Sequence, residues 1–203
     1  MEYWNSLITE KSWNLLKELN KKLKFILIGG WAVYLWTKAC KSKDIDIVVD
    51  FKELEKIKLK YNLKKNTSLK KYEIIVDEVD VDIYVPYYSD LAVPIEDIKN
   101  NYVKVENFNV VKPEILLILK QSAEIERADS EKGLKDRIDI LDILLNCNVN
   151  FKEYNNKLKE YKLMHYKERL IKILNTFKEL KYINLNPREF KLKKEGILSE
   201  LKG

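Results

Sequence analysis

The stretch of residues 25–50, FILIGGWAVYLWTKACKSKDIDIVVD, restricts the fold of this chain more than any other. It begins with an apolar, β-branched run that two adjacent glycines, Gly29 and Gly30, end abruptly. Such a run predicts a buried strand. Residues 31–38 have helical spacing, so we expect a helix whose N-terminus lies on the glycine turn. Backbone N–H groups and the helix dipole at that N-terminus would suit a phosphate group.

Two aspartates mark the strand that we predict next. Because successive side chains of a strand point to opposite faces, Asp44 and Asp46 share one face and Ile45 and Ile47 share the other. Two carboxylates on one face repel each other unless a cation lies between them or one takes up a proton. Hard divalent cations, above all Mg²⁺ shared with substrate phosphates, prefer such oxygen ligands. The alternative interpretation is an edge strand whose aspartates only face water.

A second pair of aspartates occurs in the apolar segment of residues 79–85, VDVDIYV. Together with residues 72–76, this segment predicts an antiparallel hairpin across an acidic turn. By the same alternation, Asp80 and Asp82 share one face. Asp82 directly precedes the apolar run that ends the strand.

The strand, the Gly-Gly turn, the helix and the Asp-x-Asp strand about fifteen residues later resemble the nucleotidyltransferase superfamily of DNA polymerase β type. The resemblance extends to about residue 145. It implies an α+β fold, in which helices flank a mixed sheet of the nucleotidyltransferase type and a helical C-terminal region follows. It also implies a third carboxylate on a neighbouring strand, for which Asp82 is the first choice and Asp80 the second.

The resemblance further implies the roles of the site residues. Asp44, Asp46 and Asp82 would be catalytic and would hold two Mg²⁺ ions, for which Mn²⁺ could substitute. Gly29 and Gly30 would bind the nucleotide phosphates. Many members carry Arg-x-Thr before the Asp-x-Asp, whereas this chain has Lys-Ser-Lys, which keeps a hydroxyl at Ser42 as a further nucleotide contact.

The middle of the chain is similar to one branch of the superfamily, the minimal, abortive-infection type of nucleotidyltransferase toxin. In that branch a proline-glutamate helix carries a lysine, and a lysine-aspartate pair follows a charged break. The matching residues are Pro113, Glu114, Lys120, Arg127, Lys132, Lys135 and Asp136. By this resemblance Lys120 would contact the triphosphate and Asp136 would support the site. The alternative is that both are solvated residues of amphipathic helices.

Composition and spacing outline the remaining organisation. We predict a catalytic domain over residues 1–146, of which 113–146 form a helical part, and a basic helical region over 147–203. A helix over 134–145 follows a charged segment in which Gly133 is expected to be a break. Residues 151–203 contain 14 Lys and Arg against 7 Asp and Glu, a net charge of +7, whereas the first 150 residues carry −1. The C-terminal region is therefore the candidate surface for phosphate-bearing partners, although lysines that only aid solubility are an equal alternative.

The resemblance to the superfamily implies a Mg²⁺-dependent nucleotidyltransferase that moves an NMP from an NTP to an acceptor hydroxyl. Its acceptor would be RNA, such as tRNA, or a protein, and an antitoxin would be a further partner. The alternative is a non-catalytic nucleotide- or nucleic-acid-binding protein that keeps the fold. No apolar run approaches a membrane span, the N-terminal stretch lacks the regions of a signal peptide, and two cysteines without CxxC spacing predict no disulfide framework. We therefore expect a cytoplasmic protein that does not enter a membrane.

Overall fold

The computed structural model describes residues 6–202. Met1–Asn5 and Gly203 lie outside the described residues, and with them the start of the predicted catalytic domain and of the N-terminal stretch. The helices are Ser6–Lys22 (α1), Gly29–Thr37 (α2), Phe51–Lys60 (α3), Ile95–Asn100 (α4), Pro113–Glu126 (α5), Glu131–Asn146 (α6), Phe151–Glu160 (α7), His165–Thr176 (α8) and Pro187–Lys202 (α9). The strands are Ile26–Ile28 (β1), Ile45–Val48 (β2), Lys64–Asn66 (β3), Lys71–Val76 (β4), Val79–Tyr84 (β5), Tyr102–Val105 (β6) and Phe108–Val111 (β7).

The seven strands form one mixed sheet in the order β3-β4-β5-β2-β1-β7-β6. β2 runs parallel to β5, and β1 runs parallel to β7, whereas the other neighbouring pairs are antiparallel. The predicted α+β architecture with a mixed sheet and flanking helices is confirmed. The predicted hairpin of β4 and β5 is present, and it places β5 between β4 and β2.

The chain divides into two compact units, one up to Lys112 and one from Pro113 onward. The first unit contains the sheet with α1 to α4. The second contains α5 to α9 and a 3-10 turn at Leu180–Tyr182. The predicted boundary at residue 146, between a catalytic domain and a basic C-terminal region, stays a prediction. None of the described helices is long and apolar enough to cross a membrane.

In the first unit, α1 and α2 are joined by aromatic residues. The Trp31 indole lies fully buried in α2 and donates a hydrogen bond to Ser12 Oγ at 2.8 Å. The Trp13 ring packs against the Trp31 ring with a centroid distance of 5.0 Å. Because a buried indole N–H needs an acceptor, this contact fixes α2 and, with it, the glycine turn at its start.

In the second unit, one buried glutamine links three helices. Gln121 of α5 donates to the backbone oxygen of Tyr166 at 2.8 Å and accepts a hydrogen bond from the Tyr154 hydroxyl at 2.7 Å. Tyr154 belongs to α7 and Tyr166 to α8. Such fully partnered buried polar groups favour one arrangement of the helices over others.

The prediction that Gly133 breaks the chain is wrong. Helix α6 begins at Glu131, and Gly133 lies in its first turn, where its N–H donates to Ser130 Oγ at 3.0 Å. Ser130 is therefore the N-cap, which a serine suits well. A Cβ at Gly133 would lie 2.2 Å from the backbone oxygen of Arg127. The glycine is there because the preceding loop packs closely against the helix, not because the helix ends.

Candidate active site

The aspartates of β2 and β5 lie side by side in the sheet. The parallel register places Asp46 opposite Asp82, and Asp44 directly precedes β2. The negative charge of Asp44 is close enough to contribute to the raised pKa of Asp82. Asp80 is exposed and lies opposite Ile75, on the other strand neighbour of β5. The register therefore brings Asp82 beside Asp46, and the choice of Asp82 over Asp80 as the third ligand stays a prediction.

The two glycines are required by how closely the site packs. Gly29 begins α2 with φ of +68°, and a Cβ there would lie 2.0 Å from Asp46 Oδ2. A Cβ at Gly30 would lie 2.5 Å from Ser42 Oγ. Only glycine accommodates both the left-handed backbone and this contact at position 29. The Asp46 carboxylate and the Ser42 hydroxyl consequently lie against the N-terminus of α2, as the resemblance predicts for a nucleotide site.

Helix α2 has an N-terminus without a side-chain cap. Its N-cap residue is Ile28, which makes no side-chain capping hydrogen bond. The first N–H groups of any helix have no partner within the helix, and they carry the positive end of its dipole. The first turn of α2 therefore offers the backbone donors and the field that a phosphate group would use.

Sequence reasoning missed two charged residues of β4 that belong to this site. The Lys71 ammonium lies 2.6 Å from Asp82 Oδ2 and 3.1 Å from Glu73 Oε1. Glu73 lies opposite Asp82 in the antiparallel register and accepts a hydrogen bond from Asn66 Nδ2 at 2.9 Å. The sequence does contain one signal for them, the alternation of side chains along a strand. Lys71 and Glu73 share one face of β4, the first strand of the hairpin whose second strand carries Asp82.

The pKa shifts describe a crowded carboxylate site. Burial raises the pKa of Asp82, the charges of Glu73 and Asp44 add to the increase, and the contact with Lys71 opposes it. The Asn66 hydrogen bond, helped by Lys71, lowers the pKa of Glu73 despite some desolvation. Burial alone would lower the pKa of Lys71, but the contacts with Asp82 and Glu73 outweigh it and raise the pKa. Lys71 is thus held in its charged form.

The other two predicted nucleotide contacts, Lys120 and Asp136, lie in the second unit. The Lys120 ammonium is 2.7 Å from Asp139 Oδ2 and 3.5 Å from Asp136 Oδ1. Asp136 also accepts two hydrogen bonds from the Arg127 guanidinium, at 2.7 and 3.0 Å. Lys135 forms a further ion pair with Asp139. These residues form a charged cluster of α5 and α6, and a role of Lys120 and Asp136 in nucleotide binding stays a prediction.

Comparison with known proteins gives a fold but no close relative. No protein-family model and no curated protein matches this sequence. JHP933 from Helicobacter pylori is similar in structure with a TM-score of 0.53 and 15% identity, over 96% of this chain and 93% of that chain. A candidate nucleotidyltransferase from H. pylori gives a TM-score of 0.53 and 16% identity, over 97% and 96%. ANT(2")-Ia in complex with adenylyl-2"-tobramycin gives 0.50 and 13%, over 79% and 99%.

This chain has the nucleotidyltransferase fold. The predicted resemblance to the superfamily is thereby confirmed at the level of the fold. The resemblance to its toxin-type branch stays a prediction.

The carboxylates of Asp44, Asp46 and Asp82 are of a kind that binds metal ions, although these side chains do not stand in a metal-binding geometry. Within residues 6–202, no three Asp, Glu, His or Cys side chains already stand in a geometry that could hold a metal ion. The donor set is nevertheless that of a hard divalent cation, since Asp44, Asp46 and Asp82 supply carboxylate oxygens from adjacent strands. The glycine turn leaves Asp46 the space that a side chain at Gly29 would fill. The residue types at positions 44, 46 and 82 are therefore suited to a divalent metal ion.

Proposed function

We propose that this protein is a metal-dependent nucleotidyltransferase that transfers an NMP from an NTP to an acceptor hydroxyl. The observation that supports it best is the register of β2 and β5, which places Asp46 beside Asp82 at the end of the glycine turn. Each residue type there has a use in that reaction. Asp44, Asp46 and Asp82 would hold two Mg²⁺ ions, or Mn²⁺ in their place.

In this reaction the acceptor oxygen attacks the α-phosphorus, the bond to the β-phosphate oxygen breaks, and pyrophosphate leaves. Bound divalent ions supply charge neutralisation of the triphosphate and a lower pKa of the acceptor hydroxyl. Asp82 would accept the proton that the hydroxyl loses. The N–H groups of Gly29 and Gly30 would bind the β- and γ-phosphates, and Ser42 would donate its hydroxyl to the nucleotide. Positioning and charge account for most of the catalysis in this scheme.

RNA, including tRNA, is the acceptor that the charge distribution favours, with a protein hydroxyl as the second candidate. Exposed lysines occur throughout the C-terminal region, in helices and in the segments between them: Lys152, Lys159, Lys162, Lys172, Lys178, Lys181, Lys191 and Lys193. Lysine-rich surfaces bind nucleic acid through its phosphates, and this binding weakens as salt is raised. A toxin that an antitoxin neutralises is the biological role we attach to this activity, on the basis of the sequence resemblance.

The test is transfer of an α-labelled nucleotide. Purified protein with Mg²⁺ is given each α-labelled NTP and, in turn, total tRNA, the protein itself and a panel of small hydroxyl compounds. We expect label to move to one acceptor class, with loss of transfer in Asp46→Asn and in Asp82→Asn. Asp80→Asn, an exposed aspartate of the same strand, is the matched control and should retain transfer.

The outcomes separate the alternatives. NTP binding that depends on Asp46 without transfer to any acceptor would favour a non-catalytic nucleotide-binding protein. Loss of transfer in Asp80→Asn but not in Asp82→Asn would exchange the roles of these two residues. Absence of both NTP binding and transfer would refute the proposal. Growth arrest on expression, abolished by Asp46→Asn, is the corresponding test of a toxin.

A further inference from the structure

Lys71 forms an ion pair with Asp82, one of the three carboxylates of the proposed metal site. It precedes Glu73 by two residues on β4, so both side chains are on the face of the sheet that carries Asp82. Its ammonium contacts one oxygen of Asp82 at 2.6 Å and one oxygen of Glu73 at 3.1 Å. A single positive charge thus bridges two carboxylates from adjacent strands.

This bridge differs from an ordinary surface ion pair. The side chain of Lys71 is 12% exposed, and those of Asp82 and Glu73 are 20% and 32% exposed. Exposed pairs contribute little, whereas breaking a largely buried pair leaves an uncompensated charge. Asn66 donates a hydrogen bond to the same oxygen of Glu73 that Lys71 contacts, and its own backbone is opposite Lys71 in the β3–β4 register. The Lys71 ammonium is therefore enclosed by the pair of strands β3 and β4 and by β5.

A divalent cation bound to Asp82 and the Lys71 ammonium on the same carboxylate would repel each other. Mg²⁺ binds carboxylate oxygens at about 2.0–2.1 Å. An ammonium hydrogen-bonded to the same carboxylate would lie within a few ångströms of the metal and would repel it. The contact of Lys71 with Asp82 therefore opposes metal binding there, and movement of Lys71 away from Asp82 would relieve the repulsion.

We propose that Lys71 is a resident cation that occupies the carboxylate site until a divalent metal displaces it from Asp82. The inference rests on the proposed metal-dependent function and adds a competition to it. In the metal-free protein, Lys71 neutralises Asp82 and Glu73 and stabilises the β4–β5 hairpin. When the metal enters, Lys71 moves away from Asp82 and Glu73 remains its partner. Lys71 is thus a positioning residue that sets how tightly the site binds metal.

The competition makes the effects of removing Lys71 opposite in sign. Without the ammonium, the metal-free protein should be less stable, because two neighbouring carboxylates lose their common partner. The same variant should bind divalent metal more tightly, because no cation has to be displaced. A lysine with only a structural role would give the first effect without the second.

The experiment measures Mn²⁺ binding to nucleotide-free protein at constant ionic strength, from the electron paramagnetic resonance signal of free Mn²⁺. The variants are Lys71→Met and, as matched control, Lys70→Met, which removes an exposed lysine of the turn directly before β4. We expect the Mn²⁺ dissociation constant of Lys71→Met to fall at least tenfold and that of Lys70→Met to stay within twofold of wild type. The thermal midpoint of metal-free Lys71→Met should be lower than that of wild type, and Mn²⁺ should remove this difference.

The failure of this inference is distinguishable from the failure of the proposed function. Wild-type Mn²⁺ binding that Asp46→Asn abolishes, with equal or weaker binding by Lys71→Met, would overturn the competition and leave the metal site standing. If neither wild type nor Lys71→Met binds Mn²⁺ at millimolar concentration, both the competition and the proposed metal-dependent function are overturned. If Lys71→Met does not fold, Lys71→Gln replaces it, since its neutral amide can still donate to Glu73, and the same decrease in dissociation constant is expected.

Discussion

Asp142 of α6 should make the protein less stable as the pH rises, and Asp142→Asn should remove this effect. The side chain is 3% exposed, and its Oδ2 has no hydrogen-bond partner among the residues that the structure describes. Burial raises the pKa of this carboxyl to about 7, the charge of Asp139 adds to the increase, and Lys135 opposes it. The ordinary value is 3.8.

The sign and the magnitude follow from linkage. Below pH 3.8 the carboxyl is protonated in both states and has no effect on the free energy of unfolding. As the pH rises, the unfolded chain ionises first, so stability is lost progressively until the folded carboxyl also ionises near pH 7. At about 1.4 kcal/mol per pKa unit, the loss is about 4 kcal/mol at pH 8, of which about 2 kcal/mol is already present at pH 5.

The assay is chemical denaturation followed by far-ultraviolet circular dichroism at pH 5 and pH 8. Relative to wild type, Asp142→Asn should gain about 2 kcal/mol more at pH 8 than at pH 5, which is the difference between the two losses given above. Glu200→Gln, which removes an exposed carboxylate of α9, is the control and should change this pH dependence little. Equal pH dependence in wild type and Asp142→Asn would refute the reasoning, as would a ¹³C carboxyl titration of Asp142 centred near pH 4.

Three further substitutions test other parts of the structure. Gly29→Ala should lower the free energy of unfolding by about 1–3 kcal/mol through backbone strain alone, and the clash with Asp46 adds to this loss. Gly196→Ala, whose new Cβ has no atom within 4 Å, should raise the free energy of unfolding by about 0.5–1 kcal/mol. Urea denaturation of both variants checks these opposite signs. Glu124→Ala should destabilise by about 3 kcal/mol, because the fully buried carboxylate is the common partner of Arg137 and Arg169. Loss of exposed Glu126 in the same helix should change the unfolding free energy little, and equal effects of the two would contradict the role of Glu124. Trp31→Phe should cost at least about 1 kcal/mol, because the hydrogen bond to Ser12 is lost and the smaller ring leaves a cavity in the core. Unchanged stability would show that Trp31 does not anchor α2.

The β1–α2–β2 segment could be predicted because its signals are local. A short apolar run, two adjacent glycines and strict alternation around Asp44 and Asp46 each act within a few residues. The structure moves the predicted bounds slightly: α2 begins two residues earlier than predicted, at Gly29 itself, and β2 is shorter, since Asp44 lies one residue before it. The glycines are therefore the first turn of the helix, and their N–H groups are part of it.

The contribution of β4 could not be predicted, because it depends on register between strands. The alternation of Lys71 and Glu73 is visible in the sequence, but their distance from Asp82 depends on which residues pair across the hairpin. The same limit applies to α6. Lys135, Asp136 and Asp139 have the spacing of a solvated face, and only the packing of α5 against α6 shows that they are buried.

The charged clusters of the two units differ in how readily their charged side chains could bind a ligand. In the second unit, Asp136 and Asp139 are paired with Lys120, Lys135 and Arg127, so a phosphate that approached Lys120 would have to compete with two buried carboxylates. That arrangement favours a structural role for Lys120, whose loss would leave buried charge uncompensated. In the first unit, Lys71 bridges two carboxylates while Asp44 adds a third negative charge whose field reaches Asp82. We therefore propose the chemistry for the carboxylates of the sheet and a structural role for the charged cluster of α5 and α6.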